Sequence, residues 1–433
     1  MLVNFTVGNY LSFKEKQTLD LVADALKELP ENLHTPYLYN FQEKLLKSIA
    51  IYGHNSFGKT NFLNSFNFLK QFIFQSFTIG QTQNRIEIVP FRLNTSMVNK
   101  PSYFEVTFLV REIKYRYRCQ ITSERIVEES LHYAEAKIRE NYLFEREYQN
   151  IKVSKNWNKE ANNKIEQAIA FTKPHILFLS VLMSQDDIPR VESISNWFRS
   201  NISIPDNYLI EAGNARKIYS DLNYRQLIIK FIESADLGFS TIFDKIDKTP
   251  QNNFQLEKGI LNMWYDKEIA DLGLFTNHII FDENNTPVDK VEFQLEKNES
   301  AGSIKYFILV CLLAYAIKNS QLIWIDELDS RLDSSLLEML VKSFHDPKMN
   351  PINSQLIFTT HNTVLLDKKL RRDQMVIVEK NDRGESHLQR MHSAKKPIRT
   401  GKSVEKEYRS GKLGGVSKKI KSNDSQIKLD FEN

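Results

Sequence analysis

Lys47-Ser48-Ile49-Ala50-Ile51-Tyr52-Gly53-His54-Asn55-Ser56-Phe57-Gly58-Lys59-Thr60-Asn61 is the stretch that decides the fold. It begins as a short, mostly apolar strand and breaks at a glycine. Beyond the break Phe62, Leu63, Phe66, Leu69, Phe72 and Ile73 recur near the 3.6-residue period of a helix. The segment Gly53 to Thr60 has the spacing GxxxxGK(S/T), in the strand–loop–helix context that a phosphate-binding loop requires. Glycines let the backbone N–H groups curl round phosphates, and the helix N-terminus adds partial positive charge. Lys59 is placed to reach β and γ phosphates, and the Thr60 hydroxyl to hold Mg2+. The expected nucleotide contacts are therefore Gly53, Asn55, Ser56, Gly58, Lys59, Thr60 and Asn61. Phe57 is too bulky to face a phosphate and should point away.

A second apolar run, Leu322-Ile323-Trp324-Ile325, ends in Asp326-Glu327. Four apolar residues suit a strand buried on both faces. Its C-terminal end is where open α/β sheets bind ligands. Asp326 is the expected Mg2+ holder and Glu327 the group that polarises an attacking water. His361 follows the next apolar strand, Leu356-Ile357-Phe358-Thr359-Thr360, so the same reasoning brings it to the site to touch a γ-phosphate or position water. Ser300, Gly302 and Ser303 precede a long apolar helix: Ser300 is a natural cap, and small residues at a helix start make an anion site. Read alone, this is a capped helix and His361 a surface histidine; beside the P-loop they gain a role.

Outward from these motifs, strands are expected at residues 2–7, through 85–121, in a pair spanning 276–295 across the turn Asp282-Glu283-Asn284-Asn285, and at 355–359 and 374–379. A helix is expected near 334–345. Alternating strands and helices mean a mixed or parallel α/β sheet. Residues 125–275 are expected to be mostly helical. The expected organisation is 1–124 as the first half of an ATPase head, 125–275 as a helical insertion lobe, 276–392 as the second half of the head, and 393–433 as a basic tail. Tyr115-Arg116-Tyr117-Arg118 interleaves aromatics with cations; the favoured reading is a half-exposed strand with Tyr inward and Arg outward.

Composition narrows the classes. The 433 residues are 41% hydrophobic and 26% charged, a balance that suits a folded globular chain. Only 14 glycines and 12 prolines argue against loop-heavy or collagen-like architectures. Two distant cysteines, Cys119 and Cys311, give no disulfide framework and no paired metal ligands, which fits a cytoplasmic chain. The longest apolar run, Tyr306–Ile317, falls short of the roughly twenty residues of a membrane span and reads as a buried helix. Net charge is +4, yet from Lys395 onward eleven Lys and Arg face five Asp and Glu, so the excess lies in the tail.

Taken in order, GxxxxGKT, Ser300-Ala301-Gly302-Ser303 before a helix, Leu322–Glu327 and Thr359-Thr360-His361 resemble the ABC-type ATPase head of the SMC and RecF class. The resemblance implies that Ser300, Gly302 and Ser303 form the signature segment, Ser330-Arg331-Leu332-Asp333 the D-loop, and His361 the switch histidine. Phe5-Thr6-Val7-Gly8-Asn9-Tyr10-Leu11-Ser12-Phe13 is similar to the NYRSF opening of RecF-like heads, with Leu11 in place of arginine. Pro90-Phe91-Arg92-Leu93, Arg371-Arg372-Asp373-Gln374 and Glu407-Tyr408-Arg409-Ser410-Gly411-Lys412 are similar to the stand-alone AAA-15/AAA-21 ATPases of bacterial phage defence, the RloA and AbiLi type, related to the OLD and PARIS proteins. That resemblance implies ATP and Mg2+ as cofactors, Glu327, His361 and Lys59 as the catalytic set, and Asp333 in a neighbour's nucleotide site. It also implies a homo-oligomer through ATP-sandwiched heads. An effector encoded nearby, such as a Toprim-like nuclease, is the expected partner, with nucleic acid a further candidate and no membrane. Two other readings share the head: a DNA-gripping repair ATPase and an ATP-bound scaffold without turnover.

Overall fold

The structure, a computed structural model, describes residues 1–36, 43–135, 139–161, 164–185, 187–205, 208–239, 241–244, 273–367, 369–391, 403–410 and 412–415. They form two compact units: Leu2–Ser195 with the chain from Thr359 onward, and Asn196–Phe358.

The first unit holds the P-loop. Its seven-stranded sheet runs, edge to edge, Asn150–Val153, Asn141–Glu147, Ile126–Ala134, Ile113–Ile121, Ser102–Val110, Leu2–Gly8 and Gln17–Asp20, with every neighbour antiparallel. Alternation explains the sheet: Tyr115 and Tyr117 are buried, while Arg116 pairs with Glu105 at 3.6 Å and Arg118 with Glu128 at 3.9 Å. Tyr inward and Arg outward is therefore the observed arrangement. The helix Lys59–Ile79 lays its phenylalanine stripe on the N-terminal strand. Phe62 and Phe66 meet Phe5 edge-on at 5.6 and 5.3 Å between ring centres, and each fully buried ring contributes about 1.5–3 kcal/mol. A separate set of strands carries the loop itself: Ser48–Tyr52 runs parallel to Met375–Lys380, which pairs antiparallel with Ser386–Arg390.

One expectation is corrected here. Helix was expected from residue 125, but Ile126–Ala134, Asn141–Glu147 and Asn150–Val153 are strands. The polar text misleads because two of its charges are buried and satisfied. Glu129 accepts from the N–H groups of Phe178 and Leu179 at 2.7 and 2.9 Å and from the Tyr117 hydroxyl at 3.0 Å. Arg146 pairs with it at 3.4 Å, both side chains fully enclosed. Short helices do follow, at Lys155–Glu160, Lys164–Ala170, Phe178–Met183, Val191–Ser200, Ala212–Ser220 and Leu222–Glu233. Residues 245–272 of the expected lobe, and 393–402, 411 and 416–433 of the expected tail, lie outside the described residues.

The second unit carries three parallel strands in the order Ile202–Ile204, Leu322–Ile325, Gln355–Thr359. The helix Ala301–Lys318 is apolar on every face because it is enclosed. Tyr219 meets Phe307 at 5.5 Å, and Tyr306 donates to the Phe231 carbonyl at 3.0 Å. Among the described residues it is the one helix long and apolar enough to cross a membrane, and two thirds of it is buried in the fold. The expected hairpin is present as Leu274–Phe281 and Pro287–Gln294. The architecture is thus α/β with mixed sheets, as the motif order implied.

Candidate functional site

Five buried residues, Ser48–Tyr52, deliver the chain to Gly53. A Cβ on Gly53 would lie 2.6 Å from the Val378 carbonyl oxygen. Gly58 has φ +110°, and a Cβ there would strike Ser386 Oγ at 2.5 Å and Ser12 Oγ at 2.7 Å. Only glycine fits both places. With Ser56 also left-handed at φ +66°, the backbone curls as an anion cradle needs. Lys59 is buried, and its Nζ donates to the Gly53 carbonyl at 2.8 Å and to His361 Nε2 at 2.8 Å. An ammonium only donates, so Nε2 is the acceptor in this contact. His361 is exposed, and the Thr360 N–H just before it donates to the Ile51 carbonyl at 3.1 Å.

Asn55 and Thr60 are exposed beside this cradle. Asn61 donates to Ser12 Oγ at 2.9 Å. Phe57 is half-buried, its ring 5.4 Å from that of His54, and its carbonyl accepts from Ser386 Oγ at 2.6 Å. The turn Asn9–Phe13 closes on itself through paired backbone hydrogen bonds of Tyr10 and Phe13, and this sets Ser12 against the loop.

The remaining expected residues lie in the second unit. Asp326 is buried at the end of Leu322–Ile325, and its N–H donates to the Ile204 carbonyl at 3.0 Å. Glu327 has φ +48°, a conformation that costs a non-glycine residue about 1–3 kcal/mol. Its carbonyl accepts from Lys305 Nζ at 2.9 Å and from the Ser330 N–H at 3.0 Å. Ser300 Oγ accepts from the Ser303 N–H at 3.1 Å, capping Ala301–Lys318 as expected. A Cβ on Gly302 would lie 2.7 Å from the Arg331 carbonyl, so the helix start and the loop after Glu327 meet where only glycine fits. Asp333 caps Ser334–His345, accepting from the Ser335 N–H at 2.7 Å and hydroxyl at 2.6 Å. Those bonds hold its carboxyl below the usual carboxylate range.

Gly53, Asn55, Ser56, Gly58, Lys59, Thr60, Asn61 and His361 thus belong to one unit. Ser300, Gly302, Ser303, Asp326, Glu327 and Asp333 belong to the other. Sequence reasoning missed Ser12, Ser386 and Lys305. The first two are isolated serines with no periodic signal; Lys305 breaks an apolar helix and was the readable exception. Glu299 was also missed: it accepts from Thr276 Oγ1 at 2.5 Å and lies 2.7 Å from His278 Nε2, tying the Ser300 segment to the hairpin.

A family model described as "AAA domain, putative AbiEii toxin, Type IV TA system" matches residues 48–367. Among solved structures, the SMC head domain from Thermotoga maritima is similar at 14% identity and a TM-score of 0.37, over 92% of this chain and 99% of that one. No curated protein matches the sequence.

Proposed function

The chain belongs to the AAA-21 family of AAA domains, and we propose that it is an ATP-binding and slowly hydrolysing switch of an abortive-infection system whose nucleotide state controls a separate effector. The single observation that carries the ATPase reading is the P-loop cradle. Glycines stand where no Cβ fits, and a buried lysine is held at the loop with an imidazole at its tip. That geometry fits a polyphosphate, because a glycine-bent loop at a helix N-terminus and one ammonium match its charge.

In this reading Lys59 leaves its resting partners to hold the β and γ phosphates. Thr60 and Asp326 would hold Mg2+, which supplies charge neutralisation at the phosphate oxygens. Glu327 accepts the proton of the attacking water, and His361 Nε2, released from Lys59, orients that water or the terminal phosphate. Ser300, Gly302, Ser303 and Asp333 complete the site of a neighbouring copy, so ATP joins two heads. The effector, a nuclease such as a Toprim-like enzyme, binds one nucleotide state better than the other, as any switch requires. The reading places the chain in the cytoplasm, and both thiols, Cys119 and Cys311, are buried and free.

The test is co-purification of the neighbouring gene product with ATP-loaded Glu327→Gln and with Lys59→Ala. The reading requires unequal capture by the two. Equal capture, or protection of cells by this chain alone, would remove effector control.

A further inference from the structure

Beyond the strand Ser386–Arg390, the described residues 403–410 and 412–415 pack against the P-loop. The helix Val404–Arg409 is capped by Ser403. Asp367 grips its start, accepting from Ser403 Oγ at 2.6 Å and from the Val404 N–H at 2.7 Å. Thr363, two residues after His361, donates to Glu405 Oε1 at 2.8 Å and accepts from Arg409 at 3.0 Å. Arg409 and Glu405 pair at 2.9 Å. One side of the short helix is therefore fastened to the loop that carries His361.

Tyr408 fastens it to the nucleotide loop. Its ring is buried and meets Tyr52 edge-on at 5.7 Å. Its phenol oxygen accepts the Gly53 N–H. The residues that follow lock the tyrosine in place. A Cβ on Gly415 would fall 2.7 Å from Ile377 Cγ2 and 3.1 Å from Tyr408 Cε2, and one on Gly414 would collide with the Glu379 carboxylate. The Gly415 N–H donates to Glu379 Oε1 at 3.2 Å. Both glycines have positive φ, +83° and +71°, so a side chain at either would strain the backbone as well as clash. Gly53 is thus held at both backbone groups: its N–H by Tyr408 and its carbonyl by Lys59.

We infer that residues 403–410 and 412–415 form a strap in which Tyr408 is a positioning residue for the P-loop and Thr363, Glu405 and Arg409 position the His361 loop. The inference rests on the nucleotide reading above. The two ends of the strap predict different losses. The Tyr408 end shapes the cradle before nucleotide arrives, so it governs affinity. The Thr363 end holds a group that acts on bound nucleotide, so it governs turnover. Burial pushes the Tyr408 phenol up to about 12, so it keeps its proton and works the same way from pH 6 to 9.

The experiment uses the full chain with ¹⁵N-glycine labelling, a fluorescent ATP analogue and a phosphate-release assay. In Tyr408→Phe, which keeps the ring, Gly53 amide exchange should quicken and analogue Kd should rise, each roughly five- to tenfold, the size of one hydrogen bond. In Thr363→Val, kcat should fall by a similar factor while Kd stays at the wild-type value. A strap that merely stabilises the fold would lower the melting temperature in both variants while leaving Gly53 exchange, Kd and kcat unchanged; that result overturns the inference. If the wild-type chain binds no nucleotide, the ATPase reading fails, and Gly53 exchange in Tyr408→Phe still decides whether the strap holds the loop.

Discussion

Lys59 Nζ and His361 Nε2 lie 2.8 Å apart across 302 residues of sequence. The pairing is informative because both groups have other work in the proposed site. The lysine rests on a histidine and a backbone carbonyl inside the cradle. The histidine accepts from that lysine through Nε2. Phosphate arrival would draw the ammonium away and free Nε2 in the same event, which couples occupancy of the loop to the state of the residue after it.

His361→Ala should therefore separate binding from chemistry. ATP affinity is expected to stay within about threefold of wild type, since Lys59 and the loop glycines are left in place. Turnover at saturating ATP should drop on the order of 10²-fold, the usual scale for a lost proton-handling or water-orienting side chain. A steady-state phosphate-release assay reads both, and unchanged turnover would take His361 out of the reaction.

Glu327 carries two effects that substitutions can pull apart. Glu327→Gln keeps the left-handed backbone and should slow hydrolysis roughly 10²–10⁴-fold with ATP still bound. Glu327→Gly should be equally inactive yet raise stability by about 1 kcal/mol, because glycine adopts φ +48° without strain. Urea midpoints of the two variants check this; a glycine variant less stable than the glutamine variant would show that the strain is not there.

The strand endings were legible because their chemistry is local. GxxxxGKT, Asp326-Glu327 and His361 each follow an apolar run, and Leu322–Ile325, Ser334–His345 and Gln355–Thr359 form where the periodicity put them. What stayed hidden depends on distant partners. Residues 126–153 look polar and helical until Arg146 and Phe178 are there to satisfy Glu129. Ser386–Arg390 has too few apolar residues to announce a strand, and it exists because Met375–Lys380 offers it an edge. Ser12 gains meaning only when Gly58 and Asn61 arrive beside it. Tyr408 belonged to a motif already noticed, but nothing in its spacing pointed to Gly53.

Ser300→Arg should abolish ATP-dependent self-association while leaving nucleotide affinity of the isolated chain unchanged. Ser300 is exposed at the start of Ala301–Lys318, so a long cation can be accommodated by one copy and obstructs the approach of a second. Sedimentation of the Glu327→Gln background with ATP and Mg2+ measures it. Persistent dimers in the double variant would place the contact elsewhere.

Acid should loosen the packing around the P-loop. Lys14 and Asn381 donate to Glu385 at 2.9 and 2.7 Å, and these hydrogen bonds hold its carboxyl below the ordinary value. A carboxyl depressed in the folded state stabilises the fold above its unfolded-state pKa, and that contribution is lost as pH falls through the folded value. Glu385 immediately precedes Ser386, whose hydroxyl holds the Phe57 carbonyl. Urea midpoints from pH 7 down to pH 3 should fall less steeply for Lys14→Met than for wild type; parallel curves would show that this pair contributes nothing.

The most direct test of the central claim is nucleotide binding by purified wild type and Lys59→Ala, followed by titration with a fluorescent ATP analogue in the presence of Mg2+ and by circular dichroism to confirm folding. Removing the ammonium from the cradle should abolish measurable binding, a loss of at least about 10²-fold, with the fold intact. A folded Lys59→Ala chain that binds the analogue as tightly as wild type would contradict the assignment of this loop as the nucleotide site.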